Sequence, residues 1–352
     1  MSSNSSYSIE EKHRLSREKR RARRLRRKMR RRLIGGGAVC LLCLMMGCLQ
    51  MQTQTEPEDV SSEYIQTVSS EPEEIIVQEE PEIGWHLTDD TAQIEALFPS
   101  EFVILTNLDS REIIACKNLD ARINPASMTK ILTLLVAVEN IADTSGTFTM
   151  TFPITDYCYN YRCSVVGYEV GEKIPVDELF YGCILNSGAD ACLALAELAA
   201  GSHDAFVDLM NAKLEELGLS ETSHFTNCVG LYNSNHYCTV GDMASILEAA
   251  LKNDKCREVL ATKIYKTAPT AYHTAGQDLS NWFIRRIEEQ DTGGLDVLYG
   301  KTGYVKQSGY CAASGAVSED GTTYLCVTGN STSTWQSIYD HAALYKNYVG
   351  EE

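Results

Sequence analysis

Residues 125–138 read Pro-Ala-Ser-Met-Thr-Lys-Ile-Leu-Thr-Leu-Leu-Val-Ala-Val. From Ile131 to Val138 only Thr133 is polar, so the run is apolar almost all the way round a helix. A helix of that kind is buried on every side rather than laid on a surface. The stretch therefore predicts a central helix with the rest of a domain packed around it. Just ahead of it stand Ser127 and Lys130, and positions i and i+3 share one helix face. A hydroxyl and an amine are thereby brought together at the start of the most apolar element in the chain.

Working outward, Phe102–Asn107 and Glu112–Lys117 are short strand-like runs separated by Asp109-Ser110, a hairpin signal. Residues 176–200 and 203–217 read as helices. Tyr310–Val317 and Thr322–Thr328 are apolar runs joined through Asp320-Gly321, a second hairpin signal. A last helical stretch runs from Thr334 to Tyr348. Strands at both ends with helices between them favour an antiparallel sheet flanked by helices, an α+β arrangement. The body reads as one domain from about 92 to 350, with no internal repeat.

The chain has 352 residues, 44% hydrophobic and 22% charged, which excludes a wholly disordered protein and leaves apolar material for a sizeable core. Its net charge of −17 hides a split. Residues 1–32 carry 14 Lys and Arg against 3 acids, and the remainder carries 17 against 45. A body that acidic is a poor partner for nucleic acid, whose binding rests on cations at phosphates. Leu33 to Met51 is apolar except for Gln50, and the first 17 of these residues span about 25 Å as a helix, just enough for a thin bilayer. Basic residues before such a span lie on the cytoplasmic side. Residues 1–32 thus read as a cytoplasmic tail, 33–51 as a transmembrane anchor, and everything after Met51 as extracytoplasmic. A cleaved signal peptide lacks a convincing small-residue site, and a lipid anchor at Cys48 has Leu44 one position too far upstream. A basic nucleic-acid-binding tail is the remaining alternative. Residues 52–91 are rich in acids, Pro, Ser and Thr, with no Lys or Arg, and predict a disordered linker or extended tether.

Of the 13 cysteines, Cys40, Cys43 and Cys48 fall in the apolar run. Cys158 and Cys163 bracket one short loop and Cys228 and Cys238 another, so an oxidising compartment permits bridges there. The alternative is that most are small buried hydrophobes. No cysteine or histidine spacing suits a metal.

Two further short motifs complete the chemistry. Ser187-Gly188-Ala189-Asp190 lies in a helical region, and Lys301-Thr302-Gly303 just precedes a strand. A serine nucleophile needs a base, and a lysine serves only when desolvation or a neighbouring cation lets it shed its proton. Lys-Thr-Gly supplies a cation, a hydroxyl and a Cβ-free residue, which suit a strand edge against which a carboxylate and a peptide backbone lie. Each motif alone is weak, since Ser127 also suits a helix start, Lys301 a solvated strand end and Ser187 a helix-packing role. Their order is far more specific.

In that order the chain resembles the serine-type D-alanyl-D-alanine carboxypeptidases of peptidase family S11, the low-molecular-mass penicillin-binding proteins. The resemblance extends beyond the motifs, through FVILTNLDSREIIACKNLDARINPASMTK (102–130), SVVGYEVGEKIPVDELFYGCILNSGADACLALAE (164–197) and MNAKLEELGLSETSHFTNCVGLYNSNHYCTVGDMA (210–244). It implies a penicillin-binding-protein-like fold with a helical subdomain. It also implies that Ser127 attacks the penultimate D-alanine carbonyl, Lys130 accepts the proton and Ser187 relays one to the leaving amine. Lys301 and Thr302, with Gly303 beside them, hold the terminal carboxylate. The backbone N–H groups of Ser127 and Tyr304 form the oxyanion hole. The implied substrate is a peptidoglycan stem peptide ending in D-Ala-D-Ala, β-lactams are inhibitors, and no metal or organic cofactor is required. Asp190, His236 and Tyr237 read as structural.

The family pattern is Ser-x-Asn, and this chain has Ala189 at the third position. An amide there bonds the substrate's peptide carbonyl, which a methyl group does not. Activity or β-lactam affinity is then altered, or a water or another side chain fills the gap. Alternative functions are a D,D-endopeptidase, a β-lactamase, or a non-catalytic penicillin-binding wall protein. A class A β-lactamase needs a deacylating Glu, and no convincing Glu-x-x-Leu-Asn is present. The sequence stops soon after its last helix, so anchoring is expected at the N-terminus rather than through a further C-terminal domain. If the anchor reading holds, the full-length protein sediments with membranes through a high-salt wash and is released when residues 1–51 are deleted. A mature protein lacking its first residues defeats it.

Overall fold

The computed structural model describes residues 84–350. The basic tail, the expected span at 33–51 and most of the expected linker lie outside the described residues. Among the described residues no helix is long and apolar enough to cross a membrane.

The chain opens with β1 (His86–Gln93), β2 (Phe102–Asn107) and β3 (Glu112–Lys117). A 3-10 turn over Ala126–Met128 leads into α1 (Thr129–Asn140), followed by β4 (Thr147–Thr149), α2 (Phe152–Tyr161) and β5 (Lys173–Pro175). Then come α3 (Val176–Leu185), α4 (Ala189–Ala200), α5 (His203–Glu216), α6 (Val240–Lys252) and α7 (Asp254–Ala261). Next are β6 (Ile264–Lys266), β7 (Asp278–Ser280) and the single turn α8 (Ile284–Ile287). The chain closes with β8 (Asp296–Val305), β9 (Gly309–Val317), β10 (Thr323–Ser331) and α9 (Thr334–Tyr348). The main sheet has the order β1-β3-β2-β10-β9-β8, so β8 is an edge.

Side chains of a strand alternate between its two faces, and both faces here are covered. Val103, Leu105 and Cys326 pack with Leu344 and Tyr345 of α9. Their neighbours Ile104, Leu325 and Val327 join the larger core with α1 and α6. That double coverage explains the continuously apolar β2 and β10. Helix α1 is the axis of the larger core, and every residue from Thr129 to Ala137 is buried. The three polar members of that buried stretch meet one loop. Thr129 Oγ1 lies 2.8 Å from His236 Nε2, Lys130 Nζ donates to the Val229 carbonyl at 2.6 Å, and Thr133 Oγ1 donates to the Cys228 carbonyl at 2.7 Å.

The structure corrects the sequence reading at three places and decides between its two readings of the cysteines. The expected linker ran to residue 91, but β1 begins at His86 and pairs in parallel with β3. Thr91 Oγ1 helps by donating to the Ile113 carbonyl at 2.7 Å. The sheet is therefore mixed, antiparallel everywhere except at this edge. The helical run 176–200 is interrupted at residues 186–188. Gly188 N–H reaches back to the Gly182 carbonyl at 2.9 Å while Ser187 takes a left-handed conformation with φ 54°, so the helix ends on a left-handed serine where glycine is usual. Finally, all ten cysteines among the described residues are free thiols. Cys228 and Cys238 are tied to different partners, the one donating its N–H to His203 Nε2 and the other to the Ile123 carbonyl.

Because α1 is enclosed on all sides, truncating it leaves a cavity that its neighbours only partly refill. Leu132, fully buried, becomes a test of this packing. Leu132→Ala is expected to lower the unfolding free energy by about 2–5 kcal/mol in urea titration with an unchanged slope. A loss below about 1 kcal/mol would place the core elsewhere.

Candidate active site

The 3-10 turn that carries Ser127 is held by two glycines. Gly230 has φ +82°, and a Cβ there would sit 1.9 Å from the Ala126 carbonyl oxygen and 2.9 Å from Ser127 N. A Cβ on Gly303 would sit 2.9 Å from both Ser127 N and the Pro125 carbonyl oxygen. The turn is thus pinched between the 227–231 loop and edge strand β8, backbone against backbone. Asn227 shapes that loop, its Oδ1 accepting from the N–H groups of Val229, Gly230 and Leu231 at 3.2, 2.8 and 2.9 Å. The same loop offers the Val229 carbonyl to Lys130. Inside the turn Ala126 has φ 46°, a conformation that costs a non-glycine residue about 1–2 kcal/mol, and Asn124 Oδ1 accepts its N–H at 3.1 Å.

Lys130 Nζ lies 3.0 Å from Ser127 Oγ, the contact that the i, i+3 spacing predicts. On the other side of the cleft, Lys301 Nζ donates to Ser187 Oγ at 3.0 Å and to the Thr302 carbonyl at 2.8 Å. Ser127, Ser187, Thr302, Gly303 and Tyr304 line one cleft of about 200 Å³, together with Ser164. All seven residues assigned from the sequence therefore meet here. Lys130 and Lys301 are only 2% and 3% exposed. Burial, and then the charge of Lys130, lowers the Lys301 ammonium from its ordinary 10.5 to about 7. A larger depression of about 580 Å³, lined by Cys158, Arg162, Cys163, Tyr168 and Asp190 among others, contains none of these seven residues.

Sequence reasoning missed Asn227, Val229 and Gly230. Only the Asn-x-x-Gly spacing, a tight-turn signal, pointed to them. It also missed Ser164, which carries no motif at all. The residues read as structural have structural contacts. Asp190 Oδ1 accepts from Val166 and Ala191 N–H at 3.0 Å each, and its Oδ2 from Gly167 and Tyr168 N–H at 2.9 and 3.3 Å. His236 Nδ1 accepts the Thr226 N–H at 3.0 Å, so Nε2 carries the proton and donates to Thr129. Burial lowers that imidazole to about 3. Tyr237 lies under the Arg122 guanidinium at 4.1 Å. Asn186 Oδ1 is taken by the Ser280 N–H at 3.1 Å.

The profile of the family described as D-alanyl-D-alanine carboxypeptidase, peptidase S11, matches residues 89–332. The chain belongs to this family. It is 31% identical over 241 residues to the D-alanyl-D-alanine carboxypeptidase DacF of Bacillus subtilis, covering 68% of this chain and 59% of that one. It is 31% identical over 230 residues to the D-alanyl-D-alanine carboxypeptidase of Streptomyces sp. strain K15, covering 62% and 76%. The chain thus spans about three-fifths of the Bacillus relative's length. The crystal structure of the Streptomyces K15 DD-transpeptidase superposes with a TM-score of 0.65 at 27% identity, covering 72% of this chain and 98% of that one. The expected penicillin-binding-type α+β fold is therefore present, as a mixed sheet flanked by helices.

The Lys301 value has a consequence for stability. Below about pH 7 the lysine is protonated both folded and unfolded, and the cost of burying its charge is fully present. Between about 7 and 10.5 the unfolded state holds the extra proton, so stability rises with pH by up to about 1.4 kcal/mol per unit. Lys301→Met lacks that rise. Its stability relative to wild type, read by urea unfolding, should be highest near pH 6 and decline steadily toward pH 10. A flat difference would mean an unperturbed lysine.

Proposed function

We propose that this protein is a penicillin-binding D-alanyl-D-alanine carboxypeptidase that trims the terminal D-alanine from peptidoglycan stem peptides, held outside the cytoplasmic membrane by residues 33–51. The single observation that carries this reading is the facing arrangement of two serine–lysine pairs, Ser127 with Lys130 and Ser187 with Lys301, each at 3.0 Å, across one cleft.

In this reading the substrate lies along β8, whose edge position leaves backbone groups free to pair with an extended peptide. Lys301 and Thr302 take the terminal carboxylate. Lys130 removes the Ser127 proton as Oγ bonds to the carbonyl carbon of the penultimate D-alanine. The oxyanion faces the Ser127 and Tyr304 N–H groups, where each donor contributes about 3–4 kcal/mol in comparable sites. The C–N bond then breaks, and the leaving amine receives a proton through Ser187. Water, deprotonated by the same lysine, cleaves the ester, restores Ser127 and releases the shortened peptide. A β-lactam enters by the same first step and stays as the acyl adduct. The contact of Gly303 with the nucleophile turn supports the oxyanion assignment, since it brings the strand backbone up to Ser127 N.

The test is D-alanine release from diacetyl-lysyl-D-alanyl-D-alanine by the full-length protein in detergent, with labelling by a fluorescent penicillin alongside. Wild type is expected to do both and Ser127→Ala neither. Labelling that survives Ser127→Ala would remove the assigned nucleophile. Ser127-dependent labelling without release would remove the carboxypeptidase.

A further inference from the structure

Ala189 leaves the cleft short of one hydrogen-bond donor, and the fold brings another group to the same place. The Ala189 N–H donates to the Ser164 carbonyl at 2.8 Å, so the backbone of residue 164 lies directly on the first residue of α4. One residue further on, the Asp190 carboxylate binds the N–H groups of Val166, Gly167 and Tyr168. Segment 164–168 is therefore tied to the start of α4 at two successive positions. Ser164 is exposed, and it lines the cleft with Ser127 and Ser187. Its hydroxyl makes no hydrogen bond among the described residues.

The other cleft serines are committed. Ser127 Oγ lies against Lys130, Ser187 Oγ accepts from Lys301, and Ser337 Oγ donates to the Thr334 carbonyl at 2.8 Å. Thr302 stands on β8, on the carboxylate side of the bound peptide.

We propose that Ser164 is a substrate-binding residue whose hydroxyl donates to the peptide carbonyl on the N-terminal side of the scissile bond, in place of the amide that position 189 lacks. This rests on the functional reading above and extends it to how the substrate is held. A hydroxyl is shorter than a carboxamide, and the backbone bond between 164 and 189 makes up the difference by setting the serine over the alanine. The donor then comes from the loop instead of the helix, and the acceptor on the substrate is unchanged.

A double-mutant cycle on the full-length protein tests it. Ser164→Ala is expected to lower kcat/KM for D-alanine release about tenfold with an unchanged thermal midpoint, whereas Ser164→Thr stays within about threefold of wild type. In an Ala189→Asn background, Ser164→Ala should cost less than about threefold, because the amide then supplies the donor. An unchanged rate in Ser164→Ala overturns the proposal while leaving the carboxypeptidase reading intact. Equal losses in both backgrounds also overturn it, since the hydroxyl then acts elsewhere. The same cycle read by the acylation rate with fluorescent penicillin, whose side-chain amide offers the same carbonyl, separates the two ideas. Coupling there without D-alanine release supports Ser164 and removes the carboxypeptidase.

Discussion

The contact of three backbones at the nucleophile turn governs the rest of the site. Pro125–Ser127 is caught between Gly230 and Gly303, with gaps that admit no Cβ on either side. Each wall is fixed from further away. Strand β8 is locked to β9 by an antiparallel register that runs from Asp296↔Val317 to Val305↔Gly309, broken by one shift near Leu298. The opposite loop is wound on the Asn227 carboxamide. The position of Ser127 is therefore inherited from the sheet and from a loop more than 90 residues later, and its own helix contributes mainly Lys130. This division suits a nucleophile. The strained Ala126 is held by packing that its own local sequence does not supply.

The same close packing sets the electrostatics. Two lysines are taken out of water next to one another, and an ammonium so placed loses hydration that a few hydrogen bonds only partly replace. Lys301 responds by falling to about 7, so at neutral pH it exchanges its proton at little cost. His236, which bonds to Thr129 at the start of α1, is held neutral by its two hydrogen bonds and by burial, down to about 3. The pH sensitivity of this cleft thus belongs to a lysine, and the histidine acts as a strut between α1 and the 225–238 loop. Along its buried stretch from Thr129 to Ala137, α1 is otherwise apolar, and its polar groups there all meet that loop.

Much of this was legible in the sequence because it depends on local pattern. The all-round apolar run gave the central helix, the two hairpins followed from strand-like and apolar runs around Asp-Ser and Asp-Gly, and the i, i+3 spacing placed Lys130 on Ser127. The misses share a different cause. His86–Gln93 is polar and reads as linker; it becomes a strand only through pairing with β3, a partner about 25 residues away. The break at Ser187 lies inside an alanine-rich helical pattern, and it is set by the approach of Gly188 to the Gly182 carbonyl and Val166. Ser164 has no signal because its importance comes from what residue 189 is not. Long-range contacts decide such features, and a single sequence carries no direct record of them.

The tolerance of alanine at position 189 follows from how the start of α4 is built. An asparagine in a first helical turn often has two duties, capping the helix and meeting a ligand. Here the helix start is held by Asp190, whose carboxylate accepts the Ala191 N–H and those of Val166, Gly167 and Tyr168 and whose charge suits the positive end of the helix dipole. Gly188, in extended conformation, lets the backbone pass between Val166 and Gly182. Ser187 is held by its own left-handed turn and by Lys301. Removing the amide from residue 189 therefore disturbs neither the helix end nor the serine. On the proposed function, what changes is confined to the contact with the peptide, so the departure from the family pattern leaves the reacting groups in register and acts on how the substrate is gripped.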